Sequence, residues 1–297
     1  MITLDEHRDR RSALLAALRT HTPDPVAVLQ GGPKESEHAR FRQVNDVMYL
    51  CPVETPHAYL VVDGRGGQDV THLFLPYQPP GRLKSEGTLV NAADPEHAKA
   101  VTGVDAVHGL DELAGFLERV KTVYTPMRRG EGALQSWDTL QRGQQERASD
   151  PWDGGPDRMR RFVALLRERL PAAQVLDLAP TLDAMRLIKS PAEIELLRRS
   201  GRLSALGLIE ALKVTRPGAY EYQLEAAMRF VYLDHGARDV SYRAIVAGGD
   251  NAWYGHYNAN DAVLKGGDWV LFDCGPHYHY YASDITRMWP VNGTYSA

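Results

Sequence analysis

Short apolar runs alternate with amphipathic stretches through the first part of the chain. Runs that are typical of β-strands occur at residues 26–29, 47–50, 58–62, 71–75, 122–124 and 174–178. Helical periodicity occurs at residues 5–20, 95–101, 110–120 and 157–169. Strands that alternate with helices predict an α/β domain. Residues 128–157 are polar and rich in chain-breaking residues, which predicts an exposed excursion that can hold one helical turn or more.

A different pattern begins near residue 188. Ser190 can cap a helix, Pro191 suits its first position, and Glu193 completes a capping box. A long helix is predicted from there to the residue before Arg216, with a periodic face made of Ile194, Leu197, Ser204, Leu208 and Leu212.

A second helix is predicted near residues 220–235 and ends at Gly236, a natural left-handed terminator. Strand-like runs follow at residues 242–247, 269–274 and 280–288. We therefore expect two domains, an α/β domain over residues 1–180 and an α+β domain over residues 181–297.

Two aspartates flank a segment that can turn, residues 276–279. Folding the chain about that turn predicts Asp273 opposite Asp284, with Cβ atoms roughly 4.5–5.5 Å apart on one face. Carboxylates that close repel each other unless a cation or a proton lies between them. The pair could hold one divalent metal, or two at the roughly 3.5–4 Å spacing of two-metal hydrolases. The alternative is that each aspartate pairs with an arginine, for example Arg287 or Arg243.

The residues around the aspartates extend this picture. Both faces of the pair are largely apolar, so we expect a sheet that is covered on both sides. His256 lies in a loop rich in glycine and asparagine and could hang over the same site, donating a hydrogen bond or shuttling a proton; the alternative is an inert, exposed imidazole. His277 and His279 are expected to face solvent in the turn, and Cys274 to be a small core residue.

Composition excludes several function classes. The net charge is −4 with no basic patch, so a nucleic-acid partner is not expected. No apolar run approaches the roughly 18 residues of a membrane span, and the polar N-terminus is no signal peptide. The two cysteines, Cys51 and Cys274, form no paired motif and fit a reducing compartment, which predicts a cytoplasmic location.

Several segments resemble the pita-bread metallopeptidases, in the branch of aminopeptidase P and Xaa-Pro dipeptidase (prolidase). Residues 272–275, 282–287 and 289–293 resemble the metal-binding hairpin of that family. Residues 241–246, 249–251 and 256–257 resemble its substrate loop, and residues 189–194 the opening of its catalytic domain. A weaker likeness at residues 41–46 and 49–50 indicates a creatinase N-terminal-like domain, as in aminopeptidase P. The resemblance implies an α/β N-terminal domain followed by an α+β pita-bread catalytic domain.

The resemblance also implies a site and a reaction. Asp273 would bind one divalent metal ion and Asp284 would bridge it to a second, with manganese favoured by hard oxygen ligands. A metal-activated water would release the first residue from a peptide with proline second. His256 would hold the substrate and stabilise the tetrahedral intermediate, and Tyr242 would support the ligands and border the substrate. Members use the N-terminal domain to narrow the site and to assemble, so a homo-oligomer is expected.

The family site needs five ligands, and a histidine and two glutamates come from a second half of the catalytic domain. The sequence ends at Ala297 where that half should begin, so we expect only the first half of the pita-bread domain. Activity would then need the missing half, which a separate chain could supply. Without that half, an apolar sheet face and an unpaired strand edge would be exposed. The alternatives are a prolidase that acts on Xaa-Pro dipeptides, or a non-catalytic peptide-binding module.

Overall fold

The computed structural model describes residues 1–34 and 38–295. The chain divides into two compact units, one from Ile2 to Ile188 and one from Lys189 onward together with Met1. The division lies beyond the boundary at residue 180 that the sequence suggested. The helix Ala179–Leu187 accounts for the difference, since it packs on the first helix and its Arg186 pairs with the buried Asp46 of the first unit at 2.6 Å.

The first unit is built on one six-stranded sheet. Its strands are β1 (Val26–Gln30), β2 (Tyr59–Asp63), β3 (Val70–Leu75), β4 (Ala106–Gly109), β5 (Thr122–Thr125) and β6 (Gln174–Asp177). Its helices are α1 (Leu4–Arg19), α2 (Asn45–Leu50), α3 (Pro80–Glu86), α4 (Pro95–Thr102), α5 (Leu113–Leu117), α6 (Trp137–Ser149), α7 (Arg158–Arg169) and α8 (Ala179–Leu187).

The strand order is β4-β3-β2-β1-β5-β6. The pairs β1–β2 and β2–β3 are antiparallel and the other pairs are parallel. Successive residues of β1 enter different cores: Val26 and Val28 join one cluster, and Ala27 and Leu29 join the other. A strand that is buried on both faces has a continuous apolar sequence, as β1 does. A mixed sheet with helices confirms the predicted α/β domain.

One sequence prediction in this unit is wrong. Residues 47–50 were expected to be a strand, but they form the last part of α2, whose Val47 and Leu50 are buried one helical turn apart. A short apolar run does not by itself separate a strand from a buried helix turn. The excursion predicted over residues 128–157 is largely exposed, as expected, and its helical part is the full helix α6, which buries only Leu140.

The second unit packs two helices against two small sheets. The helices are α9 (Pro191–Val214) and α10 (Glu221–Asp234), and the strands are β7 (Asp239–Val240), β8 (Ile245–Gly248), β9 (Trp269–Cys274), β10 (Pro276–Tyr278), β11 (Tyr281–Ala282) and β12 (Ile285–Pro290). One sheet has the order β12-β9-β8 and the other β11-β10-β7. The capping box predicted at the start of α9 is confirmed, with the Glu193 carboxylate accepting from the Ser190 N–H at 2.7 Å.

The buried face of α9 differs from the predicted one. Ile194 is 38 % exposed and Leu212 is 51 % exposed, so both lie away from the core. The buried face combines leucines with small residues: Leu196, Ser200, Leu203, Ser204, Gly207, Leu208 and Ala211. A Cβ atom at Gly207 would lie 2.7 Å from the Tyr232 ring and 2.8 Å from the Met228 side chain, so α10 approaches α9 closely there. Hydrophobicity alone does not mark such a crossing.

Cys51 and Cys274 are buried and are not joined by a disulfide. The placement of Cys274 in the core was predicted. Among the residues that the structure describes, no helix combines the length and the apolar character that crossing a membrane requires.

Candidate metal centre and substrate loop

Asp273 lies near the end of β9, in the antiparallel pair with β12. Its cross-strand partner is Thr286, and Cys274 is opposite Ile285. Asp284 comes two residues before Thr286, and alternate residues of an extended chain point to the same face. The predicted pairing of Asp273 directly with Asp284 is therefore wrong, although both side chains still lie on one face.

The turn explains the change in register. Residues 276–278 form β10, which pairs with β11 so that Tyr278 is opposite Tyr281. The two turn residues are His279 and Tyr280, and both have positive φ angles, 48° and 70°. This places the turn one residue further along than the predicted centre, and moving a turn centre by one residue moves the pairing by two.

The same strand pairing corrects one histidine. His277 is part of β10, lies opposite Ala282 and Asp239, and is only 7 % exposed. The expectation that it faces solvent is wrong because it lies in the ladder and not in the turn. His279, in the turn, is exposed as predicted.

Tyr242 joins the two carboxylates. Its hydroxyl oxygen lies 2.9 Å from Oδ1 of Asp273 and 3.0 Å from Oδ1 of Asp284. A phenol carries one proton and can donate it to only one of the two carboxylates at a time. The oxygen of the other carboxylate then faces a lone pair of the Tyr242 hydroxyl, and these two groups repel each other. One more positive charge beside the three oxygens would remove this repulsion. Burial, and then the hydrogen bond to Asp273, raise the pKa of Tyr242 and keep the phenol protonated.

No arginine supplies that charge. The guanidinium of Arg243 donates to the carbonyl of Asn258, and Arg287 donates to the carbonyl of Thr286 at 2.7 Å. Neither Asp273 nor Asp284 has an ion pair within residues 1–34 and 38–295. The alternative in which each aspartate is neutralised by an arginine therefore lacks support.

The donor set fits a hard divalent cation but does not complete its coordination. Two carboxylates are oxygen donors of the kind that Mg²⁺, Mn²⁺ or Ca²⁺ prefer, and the protonated phenol of Tyr242 contacts both of them. The described part of the chain contains no group of three or more histidine, cysteine, aspartate or glutamate side chains that could hold a metal ion. The remaining ligands of such a site must come from outside this set.

The face that carries the aspartates is open. On it, Trp269 is 36 % exposed and Met288 is 47 % exposed, whereas Val270 and Phe272 on the opposite face are fully buried. The expectation of a sheet covered on both sides is therefore wrong for the described residues, and the predicted apolar, exposed face is present. Strand β12 pairs with β9 on one edge and has no strand on its other edge in the described sheet.

His256 lies on the loop that follows β8. Strand β8 is the neighbour of β9, with Ile245 opposite Asp273. After β8 the chain makes a 3-10 turn, Gly249–Trp253, and His256 follows it. The imidazole is exposed and makes no hydrogen bond to any described residue. The structure thus brings Tyr242, Asp273 and Asp284 together, while His256 stands on an adjacent loop without touching them.

Glu221 was not among the residues predicted from the sequence. This carboxylate is fully buried and accepts hydrogen bonds from the backbone N–H of Gly248 at 2.8 Å, the side chain of Asn251 at 3.1 Å and the N–H of Ala262 at 3.1 Å. In the sequence it looks like an ordinary acid in the first turn of a helix. No local signal distinguishes it, because its partners are 27 to 41 positions further along.

Comparison with known proteins agrees with this architecture. Residues 195–297 match metallopeptidase family M24, and residues 7–125 match the N-terminal domain of aminopeptidase P. The Xaa-Pro aminopeptidase of Escherichia coli is 29% identical over 99% of this chain, and that of Haemophilus influenzae is 48% identical over 42% of it.

These relatives are longer than the chain. The match spans 64% of the E. coli protein and 29% of the H. influenzae protein. The solved structure of proline aminopeptidase P II from Yersinia pestis has a TM-score of 0.77 and 31% sequence identity, covering 99% of this chain and 64% of that one. Two matched domains in this order, with the fold of the whole chain shared, show that the chain belongs to the aminopeptidase P and Xaa-Pro dipeptidase branch of the M24 metallopeptidases.

Proposed function

We propose that the chain forms part of an Xaa-Pro aminopeptidase, which removes the first residue from peptides with proline in second position. The observation that carries the proposal is the Tyr242 hydroxyl held between Asp273 and Asp284. The names of the E. coli and H. influenzae relatives support the substrate class.

Asp273 and Asp284 would hold divalent metal ions, of which manganese is our choice because both carboxylates are hard oxygen donors. A bound ion of this kind activates water and polarises the carbonyl of the substrate. Tyr242 would fix the carboxylates by donating its proton to one of them, and it would border the substrate. His256 would donate an imidazole N–H to the scissile carbonyl oxygen as negative charge develops there.

Two carboxylates leave most of a coordination sphere to water, so we propose that further ligands come from additional polypeptide. The E. coli relative has 36% of its length outside the match, as the 64% coverage implies. The open face with Trp269 and Met288 is the surface on which such polypeptide, or a second copy of the chain, would bury apolar area. The two unpaired, buried cysteines support a cytoplasmic location.

The decisive experiment measures release of the first residue from an Xaa-Pro-containing tripeptide in the presence of Mn²⁺. The chain is assayed alone and with the separately produced part of the E. coli relative that it does not match. We expect little activity alone, activity in the mixture, and its loss with Asp273→Asn. No release in either assay, together with no uptake of Mn²⁺ in calorimetry, would contradict the proposal.

The same assay separates the two alternatives. A prolidase would hydrolyse an Xaa-Pro dipeptide faster than the tripeptide, whereas an aminopeptidase would accept the longer peptide. A non-catalytic module would bind the peptide in the presence of EDTA and would be indifferent to Asp273→Asn.

A further inference from the structure

We propose that Glu221 is a positioning residue that holds the loop of His256 in place, which deepens and rests on the function proposed above. The loop, residues 249–261, leaves the sheet at the end of β8, Gly248, and reaches Ala262, next to the bridge that Val263 makes with Tyr220 just before α10. Glu221 receives hydrogen bonds from both of these ends. One buried carboxylate therefore holds the two ends of the loop together. This contact lowers the conformational entropy that the loop would have if its ends were free.

The contacts at each end are specific. Oε1 of Glu221 accepts from the N–H of Gly248 at 2.8 Å and from the side-chain amide of Asn251 at 3.1 Å. Oε2 accepts from the N–H of Ala262 at 3.1 Å, and the N–H of Glu221 itself donates to the carbonyl of Ala262 at 3.0 Å. The residue thus ties its own helix, α10, to the end of β8 and to the far end of the loop.

A further contact lies next to His256. Desolvation, and then the nearby Glu221 carboxylate, raise the pKa of the Tyr257 hydroxyl. The N–H of Tyr257 donates to the carbonyl of Tyr254 at 3.1 Å, so the backbone beside the imidazole is held, while the imidazole makes no hydrogen bond within the described chain. This is the arrangement expected of a group that is kept free to meet a ligand while its backbone is held by neighbours.

The chemistry of the partners requires a carboxylate. The three groups that hydrogen-bond to the Glu221 carboxylate are all donors: two backbone N–H groups and one side-chain amide. A glutamine would place its own N–H₂ group against at least one donor and leave a buried polar group unsatisfied. The Glu221→Gln substitution therefore keeps the shape of the side chain but replaces one hydrogen-bond acceptor with a donor.

Glu193 provides a matched control. It is also a buried glutamate, only 4 % exposed, and it accepts from the N–H of Ser190 and from the hydroxyl of Tyr281, both at 2.7 Å. None of these contacts involves residues 249–261. Glu193→Gln should therefore disturb the second unit to a similar extent without acting on the loop.

The test is hydrogen–deuterium exchange on the full chain. We expect Glu221→Gln to speed exchange in residues 248–262 by at least about tenfold relative to α9, since bonds to a charged acceptor are lost. Glu193→Gln should leave the loop at the wild-type rate. Asn251→Ala, which removes one side-chain amide donor and keeps the carboxylate, should give a smaller rise confined to the loop. It serves as the second variant if Glu221→Gln folds poorly.

A kinetic measurement distinguishes positioning from general stability. In the completed enzyme, Glu221→Gln should lower kcat while calorimetric Mn²⁺ uptake by Asp273 and Asp284 stays unchanged. The proposal is overturned if loop exchange is unchanged in both Glu221→Gln and Asn251→Ala, or if the loop and α9 speed up equally. If no Xaa-Pro peptide is hydrolysed at all, the proposed function fails, but the exchange experiment still decides the role of Glu221.

Discussion

Thr286 is the cross-strand neighbour of Asp273, and Asp284 precedes it by two residues on the same face of the chain. The carboxylates therefore meet diagonally and not side by side, and the gap between them is occupied by the hydroxyl of Tyr242. Diagonal neighbours are separated by more than direct partners. The spacing lets a third oxygen enter, so the site is a three-oxygen cluster and not a bare pair of like charges.

The first prediction concerns metal binding by this cluster. Calorimetric titration of the chain with MnCl₂ should show weak uptake, because two carboxylates supply only part of a coordination sphere. Asp273→Asn and Asp284→Asn should each abolish detectable binding. In metal-free buffer the same variants should unfold within about 1 kcal/mol of wild type, since each removes a repulsion along with a charged acceptor.

The control for this titration is Asp268→Asn. Asp268 lies in the turn before β9 and accepts from the N–H of Lys265 at 3.2 Å. Its loss should leave Mn²⁺ uptake unchanged. Equal loss of binding in Asp268→Asn and Asp273→Asn would mean that the metal binds nonspecifically to surface carboxylates.

The second prediction concerns Tyr242. Tyr242→Phe removes the hydroxyl that contacts both carboxylates but keeps the ring. Removing a group that orients metal ligands typically lowers affinity by about 10–100-fold, and we expect a loss in that range for Mn²⁺ in calorimetry. If Tyr242→Phe binds Mn²⁺ as tightly as wild type, the hydroxyl has no part in shaping the site.

That Tyr242, Asp273 and Asp284 lie close together could be anticipated from the sequence, but the register of the strands could not. The apolar run before Asp273 and the β-branched run after Asp284 are local patterns, and they correctly suggest two strands and a turn. The centre of the turn depends on the positive φ angles of His279 and Tyr280. Neither histidine nor tyrosine is a residue type that predicts a positive φ angle. A choice one residue away moved the predicted partner of Asp273 from Thr286 to Asp284.

Long-range contacts limited the remaining predictions. The role of Glu221 depends on donors that fold back from a distant loop, and the helix α2 is favoured by the pairing of Asp46 with Arg128 and Arg186 from other segments. Sequence patterns predicted the structure correctly where the interactions join residues that are close together in the chain. The capping box of Ser190 and the left-handed glycine after α10, Gly236 with φ 81°, were both predicted correctly.

The third prediction tests the close crossing of α9 and α10 with a pair of glycines. A Cβ atom at Gly207 would meet Tyr232 and Met228 at less than 3 Å, whereas Gly201 has nothing within 4 Å. Gly207→Ala should lower the free energy of unfolding by about 1–3 kcal/mol through overpacking. Gly201→Ala should raise it by roughly 0.5–1 kcal/mol, since alanine favours a helix. Urea denaturation measures both, and equal effects of the two substitutions would contradict the crossing.

The fourth prediction concerns acid stability of the first unit. Burial lowers the pKa of His7 to about 4 from 6.5, and its Nδ1 lies 3.1 Å from the carbonyl oxygen of Tyr49. The unfolded chain therefore binds a proton between these two values while the folded chain does not. Stability is fully present above pH 6.5 and is lost as the pH falls toward 4, by up to about 3 kcal/mol.

His7→Gln isolates this contribution. The glutamine can donate to the same carbonyl but does not titrate, so its free energy of unfolding should change less between pH 7 and pH 4 than that of wild type. Chemical denaturation at several pH values measures the difference. If His7→Gln follows the wild-type curve, the loss of stability in acid arises from other groups.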